Sequence, residues 1–442
     1  MIPSRQTYLM LLLVTALGVG VATLTQAATQ TATAPPIALL LVGLDIGVIA
    51  AVILDSWRVR PHRVTIERSL DDRLSIGREN LVQVTVTTGD RPAMVQLRDT
   101  YPALFTATPP QFSLNLPAHH QETLTYTIFP TTRGDYAWGK IHLRQRGAWG
   151  LGWDSWTVDQ ARSVAVFPDL IGLRSLSIRL TLQTSGSIRR VRRQGMGTEF
   201  AELRDYSTGD DPRLIDWKAT ARRNRPLIRV LEPEQEQTLM ILLDRGRLMT
   251  AQVEGLKRFD WALNATLSLA LAALQRGDRV GVGVFDRQMH VWIPPDRGSQ
   301  QLPKLLSRLT PIQPVLLEPD YLDAVSQVTR QQTRRALVVL LTDIIDQTAS
   351  SEVLSAMGRL TPRYLPFCVA LRDPYIDRQA QAPSATVEAG YARAVALDLL
   401  QQRHLALTLL QRRGALILDA PAHQITDQLV DRYLQLKARS QL

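Results

Sequence analysis

Residues 195–234 have the sequence GMGTEFAELRDYSTGDDPRLIDWKATARRNRPLIRVLEPE, in which aromatic residues lie among many acids and arginines. We call this stretch the signature segment. Before it, the chain has two long apolar runs followed by short alternating stretches. After it, helical and strand-like patterns follow one another. The signature segment therefore separates two structurally different parts of the chain.

The composition is that of a globular protein with more than one domain. The 442 residues are 45% hydrophobic and 21% charged, which allows two or three domains and argues against general disorder. The net charge of +10 favours an acidic partner, nucleic acid or an anionic membrane surface, unless the arginines are simply spread over a solvated surface. The single cysteine, Cys368, excludes a disulfide within the chain.

Two apolar runs near the start predict transmembrane helices. Residues 8–24 and 37–54 each approach the roughly 20 residues that a helix needs to cross a bilayer. The arginines that flank these runs are Arg5, Arg58, Arg60 and Arg63. By the positive-inside rule, both flanks lie in the cytoplasm, which predicts a multi-pass protein of the inner or plasma membrane. A cleaved signal peptide over the first run is the alternative.

The second apolar run contains one carboxylate, Asp45, between Gly43 and Gly47. Glycines at this spacing let two helices approach closely. We interpret Asp45 as a hydrogen-bonded group at such an interface, with a proton relay as the alternative.

Short strands are predicted between residues 64 and 169. Apolar and polar residues alternate there, and turn sequences such as those at 88–90 and 133–135 separate the stretches, as is typical of an antiparallel β-sandwich. The tryptophan- and glycine-rich stretch at 147–156 favours core packing, with a base-stacking surface as the alternative. His119 and His120 lack the neighbouring ligands that a metal site needs.

After residue 237, strands and helices are predicted to alternate. Continuous apolar stretches at 238–243 and 336–341 indicate buried strands, as in a doubly wound α/β sheet with helices on both faces. Ligands bind such folds at the carboxyl ends of the strands, where Asp244 and Asp343 follow two of these stretches. Two carboxylates that meet there would suit Mg²⁺ or Mn²⁺.

The acids of the signature segment allow two interpretations. One is a hydrolase that uses Asp210, Asp211 and Asp216 for acid–base chemistry. However, the sequence has no cysteine or histidine between residues 144 and 280, and no glycine-rich phosphate loop of the Walker type. We favour a network of aspartates and arginines that binds a partner or clamps two domains together, with aromatic residues packed within it. The residues assigned to this network are Glu199, Arg204, Tyr206, Asp210, Asp211, Arg213, Asp216, Trp217, Lys218 and Arg222.

The motifs of the signature segment occur in a fixed order: GTEF at 197–200, LRDY at 203–206, GDD at 209–211 and IDWK at 215–218. In this order they resemble the signature of domain-of-unknown-function family 58. The resemblance extends to the layout of the chain. It implies paired N-terminal spans, a β-domain, the signature and then a von Willebrand factor A-like domain. It also implies an association with MoxR-type AAA+ ATPases.

Metal-binding domains of the A type carry the pattern Asp-x-Ser-x-Ser after the first strand. This chain has DRGRL at 244–248, so both serines are replaced. We therefore expect a degenerate site at Asp244 and Asp343, with Mg²⁺ or Mn²⁺ disfavoured. Arg245 or Arg247 is expected to neutralise the aspartates instead.

The expected fold is multidomain, with two transmembrane helices, an antiparallel β-sandwich-like domain and an α/β doubly wound, A-like domain. The boundaries are a transmembrane hairpin at 1–60, the β-domain at 61–170, a linker with the signature at 171–236 and the A-like domain at 237–442.

The function that follows is that of a membrane-anchored cytoplasmic interaction or scaffold protein without enzymatic activity. The expected partner is a MoxR-type ATPase, acting with this chain in assembly or maturation of a membrane or envelope complex. A hydrolase is the alternative, and nucleic-acid binding through the arginine excess is disfavoured.

Overall fold

A computed structural model describes residues 2–28, 34–108, 110–186, 199–232, 237–345, 350–383 and 386–438. The chain divides into two compact units, Met1–Phe167 and Pro168–Leu442. Each unit has its own sheets and its own buried side chains, and we describe them separately.

The first unit consists of two helices and three β-sheets. The helices are α1 (Arg5–Ala28) and α2 (Ala34–Val59), followed by a short 3-10 helix at Arg60–His62. The strands are β1 (Ile2–Pro3), β2 (Thr65–Ser69), β3 (Arg73–Ser75), β4 (Asn80–Thr87), β5 (Ala93–Asp99), β6 (Phe105–Ala107), β7 (Gln111–Leu116), β8 (Gln121–Pro130), β9 (Gly134–Trp138), β10 (Ile141–Arg146), β11 (Gly152–Val158) and β12 (Arg162–Phe167). The sheets have the orders β1-β11-β10-β5-β7, β2-β4-β8-β6 and β3-β12-β9.

Alternating side chains of the first unit point into its core. Buried and exposed residues alternate along β4 and β5 because successive side chains of a strand lie on opposite faces. Arg68 of β2 donates to Asp99 of β5 over 2.7 Å, and the Tyr126 hydroxyl of β8 donates to the same carboxylate over 2.6 Å. Since β2 and β8 belong to one sheet and β5 to another, these two buried hydrogen bonds to Asp99 join the faces of two sheets.

The prediction of two transmembrane helices is wrong. Within the residues that the structure describes, no helix combines the length and the apolar character that crossing a membrane requires. The predicted multi-pass membrane localisation is overturned by the same finding. The arginines assigned to a membrane flank have other contacts. Arg58 stacks over the Trp149 ring at 4.6 Å, and Arg63 pairs with Asp154 at 2.7 Å and stacks over Trp156.

The end of α2 is held by the tryptophan- and glycine-rich stretch. The buried Asp55 carboxylate accepts hydrogen bonds from the backbone N–H groups of Trp149, Leu151 and Gly152, at 3.0 to 3.1 Å. A Cβ at Gly147 would lie 2.2 Å from this carboxylate, so only glycine fits there. Gly147 and Gly152 thus pack closely against the end of α2, whereas Trp149 is 50% exposed and Trp153 and Trp156 are half-buried, so the predicted core packing holds for the glycines and not for the tryptophans. By contrast, a Cβ at Gly43 or Gly47 would meet no described atom within 4 Å, so these two glycines do not mark a close approach of helices among the described residues.

The second unit is built around one six-stranded sheet. Its strands are β13 (Glu199–Asp205), β14 (Leu227–Glu232), β15 (Thr238–Asp244), β16 (Gln252–Val253), β17 (Leu256–Lys257), β18 (Arg279–Phe285), β19 (Met289–Asp296), β20 (Leu337–Thr342), β21 (Leu365–Arg372) and β22 (Leu416–Pro421). Its helices are α3 (Leu170–Gly186), α4 (Trp217–Arg223), α5 (Arg258–Gln275), α6 (Gln301–Leu309), α7 (Tyr321–Gln331), α8 (Ser351–Leu360), α9 (Pro374–Gln381), α10 (Val387–Arg412) and α11 (Ile425–Ala438). The large sheet has the order β19-β18-β15-β20-β21-β22, with only β19 antiparallel to its neighbour.

Helices cover both faces of this sheet. Leu239, Ile241 and Leu243 of β15 pack in one apolar cluster, which contains side chains of α3, α5, α6 and α11. Met240 and Leu242 point to the opposite face, into a cluster with side chains of α7, α8 and α10. The continuous apolar strands are thus explained by burial on both faces.

The stretch at 171–236, which the sequence presents as linker and signature, contributes the core helix α3.

Candidate functional site

Two central strands of the large sheet end in polar residues at the same edge. β15 and β20 are parallel neighbours, and Leu243 lies opposite Leu341. The next residues, Asp244 and Thr342–Asp343, therefore leave the sheet side by side. In the sheet, β18 lies on one side of β15 and β20 lies on the other, so the strand order reverses direction at β15. Ligands of α/β sheets bind at the carboxyl ends of the strands at such a reversal.

Asp244 is fully buried and has three hydrogen-bond donors. The hydroxyls of Thr342 and Tyr321 donate to its Oδ2 at 2.7 and 2.9 Å, and the Gly246 N–H donates to Oδ1 at 2.7 Å. Burial and, to a smaller extent, the negative charge of Asp343 raise the pKa of Asp244, the three hydrogen bonds lower it, and the net result is a pKa of about 6. Burial likewise raises the pKa of Tyr321, so its hydroxyl stays protonated.

Asp343 lies between two arginines. Arg403 of α10 contacts its Oδ1 at 2.7 Å, and Arg258 at the start of α5 contacts its Oδ2 at 2.7 Å. Arg403 also binds Asp419 of β22, at 2.9 Å. Both guanidinium groups are largely buried, so these ion pairs are shielded from solvent. We call the group formed by Asp244, Arg258, Tyr321, Thr342, Asp343 and Arg403 the sheet-end cluster.

The sheet-end cluster is a poor fit for a divalent cation. A cation would have to displace two guanidinium groups from Asp343 and three donors from Asp244. Gly246 replaces the first serine of the A-type pattern, and a Cβ there would lie 2.8 Å from the Leu317 carbonyl oxygen. Among the described residues, no group of three or more potential metal-ligating side chains comes together.

The two arginines that follow Asp244 do not neutralise the two aspartates, contrary to the prediction. Arg245 binds Asp286 at 2.7 Å, with both side chains largely buried, and Arg247 binds the exposed Glu318 at 2.6 Å. Arg258 and Arg403 take the predicted role. Arg403 lies on the same face of α10 as Ala406 and Leu410, and all three side chains are buried. A basic residue on an apolar helix face is the sequence pattern that could have identified Arg403 as a partner of Asp343.

The described part of the signature segment forms a small module of its own. β13 and β14 pair as an antiparallel hairpin, and a 3-10 helix at Pro212–Leu214 and α4 lie between them. We call residues 199–232 the signature module. Glu199 lies opposite Glu232 in this hairpin. Residues 195–198, the first four of the signature segment, lie outside the described residues.

Each aspartate of the signature module has a local structural partner. Asp211 accepts from the Arg213 N–H at 2.9 Å and Asp216 from the Ala219 N–H at 3.0 Å, so both cap helices. Asp216 also binds Arg229 at 2.8 Å.

Two further aspartates complete this pattern. Asp210 accepts from the Ser207 N–H at 2.8 Å and pairs with Arg204 at 2.5 Å. Asp205 pairs with Arg225 at 3.0 Å. Backbone N–H donors, followed by the paired arginines, lower the pKa values of Asp210 and Asp216, so both stay ionised at neutral pH.

Trp217 is exposed rather than packed among these charges. Its side chain is 71% exposed, while Tyr206 is half-buried. Exposed basic residues lie close to Trp217 in the chain: Arg213, Lys218, Arg222, Arg223 and Arg225. The module thus holds its four aspartates in local bonds and exposes an aromatic ring together with cations, alongside the exposed acids Glu202, Asp205 and Asp211.

Residues 202–381 match the family model described as "Protein of unknown function DUF58". The resemblance stated from the motifs is thereby confirmed for this part of the chain. "Uncharacterized protein Mb1516" of Mycobacterium bovis is 23% identical over 212 residues, which are 46% of this chain and 65% of that protein. "Uncharacterized protein YeaD" of Bacillus subtilis is 24% identical over 132 residues, 30% of each chain. The match thus covers slightly less than two thirds of the mycobacterial relative.

Solved structures show only distant similarity. The crystal structure of the conserved hypothetical protein BatB from Bacteroides thetaiotaomicron aligns with a TM-score of 0.32 and 14% identity, covering 45% of this chain and 99% of that one. An aerotolerance-related membrane protein from Bacteroides fragilis aligns with a TM-score of 0.29 and 13% identity, covering 44% of this chain and 99% of that one. Scores at this level carry no argument about fold or function.

Proposed function

We propose that this chain is an interaction protein that binds a partner through the exposed face of its signature module. The observation that carries the proposal is the 71% exposure of Trp217 beside several exposed cations. Tryptophan and arginine are the residues that most often dominate binding energy at protein interfaces. Exposed cations that lie close to an aromatic anchor in the chain suit a partner surface rich in carboxylates.

The proposed partner is a MoxR-type AAA+ ATPase, and the proposed task is assembly or maturation of a larger complex. This choice rests on what the resemblance of the signature motifs implies. The sequence has no Walker-type phosphate loop, so an ATPase partner would supply the energy. We further propose that the second unit is an A-like domain, because Asp244 and Asp343 end neighbouring central strands as the A-type pattern requires.

The hydrolase alternative gains no support from the geometry. Asp211 and Asp216 cap helices, and Asp210 pairs with Arg204 and the Ser207 N–H. A general acid would need a raised pKa near neutrality, whereas the pKa values of Asp210 and Asp216 are lowered. We therefore do not propose these acids as catalytic.

The test is a binding titration between the purified full chain and a purified MoxR-type ATPase encoded in the same genome. We expect Trp217→Ala to weaken binding by at least about tenfold, since truncating an anchor residue costs about 2 kcal/mol or more. Tyr391→Ala is the matched control, because Tyr391 is another aromatic side chain with 71% exposure. No binding by the unaltered chain would refute the choice of partner, and equal binding by Trp217→Ala would refute the choice of surface.

A further inference from the structure

A concave surface lies beside the sheet-end cluster, where α6 ends and the edge strand β19 begins. Its volume is about 420 Å³, and it is open to solvent rather than enclosed. Val291, Ile312 and Val315 give it an apolar lining, and His290, Ser307 and Arg308 give it polar groups. We call this surface the α6 groove.

The local sequence explains why the groove has an apolar lining and a basic edge. Helix α6 buries Leu305 and Leu309 and leaves Ser307 and Arg308 exposed. After α6, the chain returns to the end of β15, where the Val315 N–H donates to the Arg245 carbonyl at 2.8 Å. β19 is an edge strand of the six-stranded sheet, so one of its sides faces away from the sheet.

The groove lies in a stretch of positive charge. Residues 297–317 contain Arg297, Lys304 and Arg308 and no aspartate or glutamate. Lys304 and Arg308 are four residues apart on the exposed side of α6 and therefore lie on the same helix face. The nearby Asp286 pairs with Arg245, which also lines the groove. The lining therefore contains basic side chains and no acidic one, while the acids Asp296 and Glu318 flank the stretch in the chain.

We propose that the α6 groove binds an acidic and apolar peptide segment of a protein partner. An apolar side chain of the peptide would pack on Val291, Ile312 and Val315, and a neighbouring carboxylate would bind Arg308 and His290. A peptide fits better than a small molecule because Ser307, Arg308 and Gln313 are exposed, whereas small-molecule sites enclose most of their ligand. This site does not include the signature module, so the proposal stands independently of the proposed function.

The experiment uses the purified full chain and a fluorescein-labelled octapeptide of alternating leucine and glutamate, with binding followed by fluorescence anisotropy. We expect saturable binding that Arg308→Glu weakens by at least about tenfold, equivalent to about 1.4 kcal/mol. His290→Glu is a second variant on a different element, and it should weaken binding in the same direction.

Matched controls give the experiment its specificity. Arg335→Glu makes the same charge change at an exposed residue before the opposite end of β20, and it should leave the affinity unchanged. Trp217→Ala should also leave it unchanged, which separates this site from the signature module. Three results would overturn the proposal. They are the absence of any binding, equal affinity for a leucine–lysine octapeptide, and equal loss of affinity in Arg335→Glu and Arg308→Glu. Full displacement of the peptide by glutarate at low millimolar concentration would show a small-acid site instead.

Discussion

At Asp244, burial and hydrogen bonding act on one carboxyl group in opposite directions. The side chain has no exposed surface, and the loss of solvation raises its pKa to about 6 from an ordinary value of 3.8. Three donors stabilise the ionised form, yet they do not cancel the desolvation. Asp244 is therefore a buried acid that titrates near physiological pH.

This shift predicts how stability depends on pH. Because the pKa of Asp244 is raised in the folded state, the group contributes most stability below its ordinary pKa and loses it as pH rises through about 6, by roughly 3 kcal/mol. Asp244→Asn mimics the protonated acid. We expect the urea midpoint of this variant, relative to the unaltered chain, to rise between pH 5 and pH 8.

The control is the same replacement at the exposed Asp431. A relative midpoint for Asp244→Asn that stays constant or falls over this pH range would contradict the argument.

Asp343 illustrates a different balance, in which burial is offset by ion pairing. Arg258 and Arg403 each contact one of its carboxylate oxygens at 2.7 Å. Removing one partner from a buried ion pair leaves an uncompensated charge, which is why such pairs tolerate little change. The Asp343 carboxylate thus ties α5 and α10, on opposite faces of the sheet, to the end of β20.

At the scale of elements, the signature module shows how an acid-rich sequence can build local structure. Asp216 caps α4 through the Ala219 N–H and binds Arg229 on β14. Helix α4 has only seven residues and no buried side chains, so the cap matters for its stability.

We therefore predict that Asp216→Ala loosens α4. Amide exchange at residues 217–223 should accelerate several-fold, because the cap and the ion pair are both lost. Asp216→Asn should restore most of the protection, since asparagine is also a good N-cap, and Arg229→Gln should remove the ion pair alone. Hydrogen-exchange mass spectrometry measures all three variants, and equal protection in Asp216→Ala and the unaltered chain would contradict the role of the cap.

At the scale of the whole molecule, the second unit contains its own apolar core on both faces of its sheet. Helix α3 belongs to this core, because Leu173, Leu176 and Leu180 are buried in the cluster that contains α5. Each buried leucine contributes about 2 kcal/mol relative to an exposed one. The unit therefore includes α3 as part of its fold.

We predict that a fragment of residues 168–442 folds by itself. Its thermal transition should be cooperative and lie within a few degrees of a transition in the full chain, as measured by calorimetry and circular dichroism. The shorter fragment 199–442, which lacks α3, should unfold at a clearly lower temperature. A non-cooperative 168–442 fragment, or equal stability of the two fragments, would contradict this division.

Local sequence patterns were enough to predict the alternation of strands and helices in the second unit and the position of Asp244 and Asp343 at strand ends. They also identified the DUF58 signature. These features follow from local patterns, because burial on both faces demands continuous apolar strands and a polar residue marks where each strand leaves the core. Hydropathy alone, however, predicted membrane spans that the described structure does not contain.

Which side chains contact each other could not be predicted from these patterns, because it depends on how distant elements pack. Arg258 and Arg403 reach Asp343 because α5 and α10 pack on opposite faces of one sheet, and no spacing in the sequence specifies that arrangement. In the same way, Trp217 lies on a surface rather than in a core, and Asp55 finds three backbone donors in a distant turn. Ion pairs and exposure depend on how separate elements pack in space, and local sequence does not fix that packing.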